Sequence, residues 1–256
     1  MDALAAEWVK LRSVRSTAYV VGVVGVFTGL CLVWSWQASR YWDGLSLTRK
    51  ATADAAPPET PLAIALPVCA IVLGALVITG EHATGMIRTS LVSSPRRGAL
   101  FVAKAVAVGL GAALATGASL VGAILGGRIV VADRPIPSFD EPLDDHVPHL
   151  LALGASMVVI ALLAFAVGTI VKSTAGTVGS LAGVLFVVPP MANLVPDPWG
   201  DRLAAVLPGG LAEQVAASPG ATPPQVFAAP MAAVLLAGYV VVALGVAFSV
   251  FVRRDA

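Results

Sequence analysis

Charge is scarce in this 256-residue chain: Asp, Glu, Lys and Arg make up 12% of it, while 57% is hydrophobic and the mean hydropathy is +0.87. A soluble domain carries about 25% charged residues, and a disordered chain carries more charge and less apolar surface. Both are excluded, and lipid is the expected solvent. The net charge of +1 leaves no basic excess for nucleic acid. Two cysteines, Cys31 and Cys69, are too few for a disulfide framework or a zinc finger, and both lie in apolar runs as core-like thiols. No G-x-x-x-x-G-K-[ST] pattern occurs, so the chain does not hydrolyse ATP by the P-loop mechanism, and any engine is another polypeptide.

What is present is six long apolar runs, approximately Ala18–Trp36, Leu62–Gly80, Leu100–Leu125, Leu150–Val171, Thr177–Leu194 and Val226–Val252. A membrane-crossing helix needs about 20 residues. The third and sixth runs are long enough to tilt or protrude. The fifth carries Pro189-Pro190, which predicts a break or kink near that pair. No ten-residue alternation suggests β-barrel strands. The first run is too long for a signal-peptide core, and no small-x-small site follows it, so it reads as a retained helix. The expected fold is all-α, a single domain over 1–256 with six spans.

Orientation follows from the placement of Lys and Arg. One side collects the N-terminus, the Glu81–Ala99 loop, Lys172, the C-terminus and, at a membrane edge, Lys104, with ten basic and four acidic residues; the other collects six basic and eleven acidic. The balances, +6 and −5, predict cytoplasmic termini. The span centres carry no charge, which argues against a proton path. Lys104, near a span end, is expected to snorkel. Gly22, Gly25 and Gly29, the pair Gly122 and Gly126, and the pair Gly179 and Gly183 have small-residue spacings that predict close helix packing within the chain.

Three segments carry candidate function. The acidic stretch from Asp140 to His149 offers Asp144, His146 and His149, oxygen and nitrogen ligand types, but without a recurring zinc spacing; a solvated external loop is the favoured reading. All three histidines, His82, His146 and His149, are expected in loops. Near the N-terminus, Leu4, Trp8 and Leu11 share a helical face, and residues 1–16 read either as an interfacial amphipathic helix or as a positive anchor. After the second span comes Glu81-His82-Ala83-Thr84-Gly85-Met86-Ile87-Arg88-Thr89-Ser90-Leu91. Thr84 is placed to cap a short helix there, with Ile87 and Leu91 on one face beside Met86. Such a helix suits docking into a partner's groove, and a solvated basic loop is the plainer alternative.

At these residues the sequence resembles the membrane subunit of an ABC-2 type transporter, in the actinobacterial style. The stretches Glu7–Thr17, Glu81–Thr89 with Pro95-Arg96-Arg97 and Lys104, and Trp199–Leu203 with Leu207–Gly210 carry the likeness. The resemblance implies a type V exporter-like fold in a bacterial cell membrane. It implies two permeases, as copies or paralogues, joined to two cytosolic ATP-binding subunits. ATP and Mg would be bound by those partners and no cofactor by this chain. The coupling helix would map onto Glu81, Thr84, Gly85, Met86, Ile87, Arg88 and Leu91, and the interfacial helix onto Leu4, Trp8 and Leu11. Residues 195–225 would partly re-enter the outer leaflet. The expected function is export of a hydrophobic or amphiphilic cargo. The competing readings are a channel or scaffold without ATP coupling, and a membrane enzyme built on the external histidines.

Overall fold

The computed structural model describes residues 8–9, 15–53, 55–86, 97–140, 142–192, 194–196, 198–216 and 226–253. All regular structure among them is helical. The long helices are α1 (Arg15–Asp43), α2 (Leu62–Thr84), α3 (Arg97–Val131), α4 (Leu143–Val171), α5 (Thr174–Ala192) and, after two short helices α6 (Trp199–Val206) and α7 (Pro208–Ala216), α8 (Ala229–Arg253). Six of these are long and apolar enough to cross a membrane. The bundle has a basic end, where α1 and α3 begin and α8 finishes, and an acidic end, where α4 begins.

Helix α4 is the hub. It packs against α2 most extensively, and also against α3, α5, α7 and α8. The α2–α4 seam is close because Gly74 has no side chain: a Cβ there would fall onto the Ala161 carbonyl and stand 2.9 Å from Ala164 Cβ. Between helices in lipid, where apolar burial gives little drive, such backbone proximity maximises dispersion contact. At the basic end Phe101 of α3 packs at a tilt against Phe165 of α4 (5.1 Å between ring centres) and meets Phe248 and Phe251 of α8 at 5.5 and 5.6 Å. At the acidic end Arg134 grips Asp43 with two hydrogen bonds of 2.9 Å, which raises the arginine's pKa further and ties the exit of α3 to the end of α1.

The small-residue spacings have different fates. A Cβ at Gly122 would stand 3.1 Å from Thr28 Cγ2 and one at Gly126 would strike Leu32, so this pair does seat α3 on α1. Gly22, Gly25, Gly29, Gly179 and Gly183 have nothing within 4 Å of a Cβ position. The expectation of packing within the chain fails for these five, because the faces that carry them on α1 and α5 turn away from the bundle.

Helix α5 does not break at Pro189-Pro190. It widens into a π-helical turn over Gly183–Val187 and continues through Val188–Ala192, with the Val188 N–H bonding the Gly183 carbonyl. The cause is still the proline pair, acting one turn earlier. Each ring collides with the carbonyl four residues back, at Leu185 and Phe186, and a wider turn relieves both contacts. The acidic stretch also differs from expectation. It is not a loop but the single turn Pro137–Asp140 followed by the start of α4, so Asp144 and His149 lie on a helix.

Candidate functional site

The second helix ends at the basic end of the bundle, and its last two turns carry an unusual density of polar contacts. Lys104 of α3 is fully buried, and its Nζ donates to Glu81 Oε1 of α2 at 2.6 Å, with Glu81 itself 8% exposed. The expected snorkelling lysine is therefore corrected. Lys104 lies seven residues into α3, about 10 Å along the axis, and turns inward. An isolated ammonium or carboxylate there would be strongly desolvated, and pairing at hydrogen-bond distance offsets that cost. Two residues earlier, Thr79 donates to the Ala75 carbonyl at 2.8 Å, and its hydroxyl lies 2.7 Å from that of Thr174 at the start of α5. A Cβ at Gly168 of α4 would stand 2.9 Å from Ile78 Cγ2, so α4 backs the same two turns. The end of α2 is thus held to α3 by an ion pair, to α5 by a hydroxyl pair and to α4 by close contact.

The surface of this end is prepared differently. His82 sits on the last turn of α2, not in a loop, with Nδ1 2.9 Å from the Ile78 carbonyl. The helix that Thr84 is expected to cap lies mostly outside the described residues. The Thr84 hydroxyl donates back to the Gly80 carbonyl at 2.9 Å and helps close α2. Gly85 then turns the chain in the left-handed region at φ 71°, which suits a residue without a side chain. Met86, 45% exposed, already has helical backbone. Of the other coupling candidates, Ile87, Arg88 and Leu91 lie outside the described residues. So do Leu4 and Leu11 of the proposed interfacial helix, whereas Trp8 is described, helical and half-buried.

The α4–α5 connection meets the same surface in two residues. Lys172 adopts φ 57° and its N–H bonds the Gly168 carbonyl, and Ser173 Oγ accepts from the Gly176 N–H at 3.2 Å to start α5. The basic end therefore presents two tight turns joined through Thr79 and Thr174.

At the acidic end, α6 and α7 fold into a hairpin that packs beside α4 as far as Val159, and the link between them is tight enough that a Cβ at Gly210 would meet the Ala204 carbonyl carbon at 3.0 Å. Gln214, buried, fastens it: its amide donates to the carbonyls of Ala205 (2.9 Å) and Gly210 (3.0 Å) and accepts from the Phe227 N–H (2.8 Å). Sequence reasoning missed Gln214 and the Glu81–Lys104 pair. The residue types gave a signal, since a glutamine within a proline- and glycine-rich stretch and a lysine inside an apolar run both need partners. Among the described residues no group of three His, Cys, Asp or Glu side chains is placed to hold a metal.

Comparison with curated proteins finds no match. The model of a protein family described as ABC-2 family transporter protein matches residues 13–256, which include all six apolar helices and both ends of the bundle just described. The chain belongs to the ABC-2 transporter family and is a multi-pass membrane permease.

Proposed function

We propose that the chain is the membrane-spanning half of an ATP-driven exporter of hydrophobic or amphiphilic cargo, working by alternating access. Family membership implies a cytosolic ATP-binding partner, and the lack of a P-loop pattern agrees with that division of labour. The observation that carries the reading is the Lys104–Glu81 pair beside the Thr79–Thr174 contact. Segment 85–96 leaves α2 directly after these contacts. A push on it is therefore delivered to α2, α3 and α5 together and not to one helix end. Such rigid coupling lets a local displacement tilt a bundle half. Glu81 acts from behind the surface as a positioning residue, while Met86, Ile87, Arg88 and Leu91 meet the partner. ATP and Mg belong to that partner.

The outward-turned glycine faces of α1 and α5 support assembly of two permeases, since backbone surfaces of this kind associate well in lipid. The excess of Lys and Arg at one end supports cytoplasmic termini in a bacterial cell membrane. In vesicles holding the permease with its ATPase, Arg88→Glu and Ile87→Pro are each expected to leave assembly intact and ATP turnover running while cargo movement falls at least about tenfold, on the order of 1.4 kcal/mol of lost coupling. Wild-type transport in both variants would remove the assignment of 81–91 as the coupling segment.

A further inference from the structure

A cleft of about 480 Å³ opens at the acidic end between α2, α4, α5 and α7. Its rim and floor differ chemically. Glu59, just before α2, His149, in the second turn of α4, and Glu213, within α7, stand at the mouth, while Met157, Ile160, Leu185 and Phe186 line the deeper wall. Ile160 lies eleven residues beyond His149 on α4, so the cleft descends about 16 Å, half of a hydrocarbon core of about 30 Å. The lining holds two carboxylates and one imidazole but neither lysine nor arginine. Glu59 is buried at 7% exposure, whereas Glu213 is exposed at the rim.

Two backbone irregularities converge on this cavity. Pro67 withholds from the Ala63 carbonyl its usual helical donor, and both residues line the cleft. The π-helical turn of α5 supplies Leu185 and Phe186. Non-regular backbone at membrane depth is tolerated where it faces protein or a cavity, and π turns concentrate at functional sites. An apolar shaft alone would accept any lipid tail. An acidic rim above it, with under-bonded carbonyl oxygen nearby, favours a positive head.

We infer that this cleft is a binding site for a single-chain lipophilic cation, its ammonium or amidinium head held between Glu59 and Glu213 and its tail lying along Met157, Ile160 and Phe186. The inference rests on the reading of the chain as a transport subunit, but its test needs no ATPase, so its failure and a failure of ATP coupling remain distinguishable. The full chain in phosphatidylcholine nanodiscs is labelled with a diazirine-bearing dodecyltrimethylammonium, and the labelled residues are mapped by mass spectrometry. Labelling is expected on residues 153–160 and 185–186. Excess dodecyltrimethylammonium should displace it, and dodecyl sulfate at the same concentration should not. Glu213→Gln should lower the labelling about threefold and Glu213→Lys about tenfold, effects in the range of partly exposed charge contacts. Because Glu213 is exposed, both variants are expected to fold. Labelling spread evenly over lipid-facing positions would overturn the site. Equal displacement by dodecyl sulfate, or undiminished labelling of Glu213→Lys, would overturn the cation preference.

Discussion

Lys104 decides how the basic end of the bundle is read. A lysine near a span end has two ways to avoid stranded charge: it can extend its stem to the headgroups, or it can turn inward to a carboxylate. Its own neighbours in sequence, all apolar, fit both outcomes. Glu81 decides between them from 23 positions away, and that pairing exists only once α2 and α3 lie side by side. Removing one partner of such a pair strands the other, so Lys104→Met alone is expected to destabilise the folded permease by about 3–5 kcal/mol. The double change Glu81→Leu with Lys104→Met removes both charges and should recover most of that loss. Thermal unfolding in nanodiscs distinguishes the two. Equal melting of the single variant and the wild type would show that the pair does not hold α2 to α3. Thr84 teaches the same lesson at shorter range. A threonine followed by glycine suits both a helix start and a helix end, and here its hydroxyl bonds back to Gly80 while Gly85 takes the left-handed turn.

Elements were more legible than residues. Runs of roughly 20 apolar residues are set by bilayer thickness and stand out without any partner, and all six are helices here. Their ends were less visible. Helix α4 begins at Leu143, seven residues before its apolar run, because a solvated acidic turn is as compatible with helix as with loop. Which face a helix buries was also hidden, since glycine spacing is the same whether the neighbour belongs to the chain or not. Gly74→Ala forces a methyl onto the Ala161 carbonyl and is expected to cost about 1–3 kcal/mol. Gly25→Ala meets open space, so it should leave the melting of the isolated permease unchanged or slightly raised. If two permeases join through α1, that same variant should lower the dimer fraction seen by cross-linking in native membranes. The π turn makes a further element-scale claim. Replacing Pro189 and Pro190 by alanine removes the clash at Leu185 and Phe186 and should let α5 close to ordinary α-helix. A cysteine at position 186 would then lose reactivity toward a thiol reagent applied at the acidic end, because the side chain rotates away from the cleft.

At the scale of the whole molecule, contacts are unevenly shared. Helices α2 and α4 are the most enclosed, while α1, α5 and α8 show most of their surface outward. A transporter that rocks in lipid requires a stiff centre and faces free to move against a second body. The stiff centre runs between two chemically distinct ends: a basic end where α2 is anchored to three helices, and an acidic end with a cleft and a glutamine-fastened hairpin. The contacts that make each end were not visible in the sequence, because they join residues far apart along the chain: 95 positions for Thr79 and Thr174, and more than a hundred for Glu59 and Glu213. The polarity between the ends was legible, since it depends only on which loops hold Lys and Arg.

The central claim is that the surface just beyond Gly85 faces the cytoplasm and is gripped by an ATP-binding subunit. Met86→Cys tests it most directly, because Met86 is exposed while the native Cys31 and Cys69 are buried and give little background. In oriented vesicles a membrane-impermeant maleimide should modify Cys at position 86 only from the cytoplasmic face, and bound ATPase subunit should slow that modification at least about tenfold. Modification from the outer face, or an unchanged rate with the ATPase bound, would contradict the account.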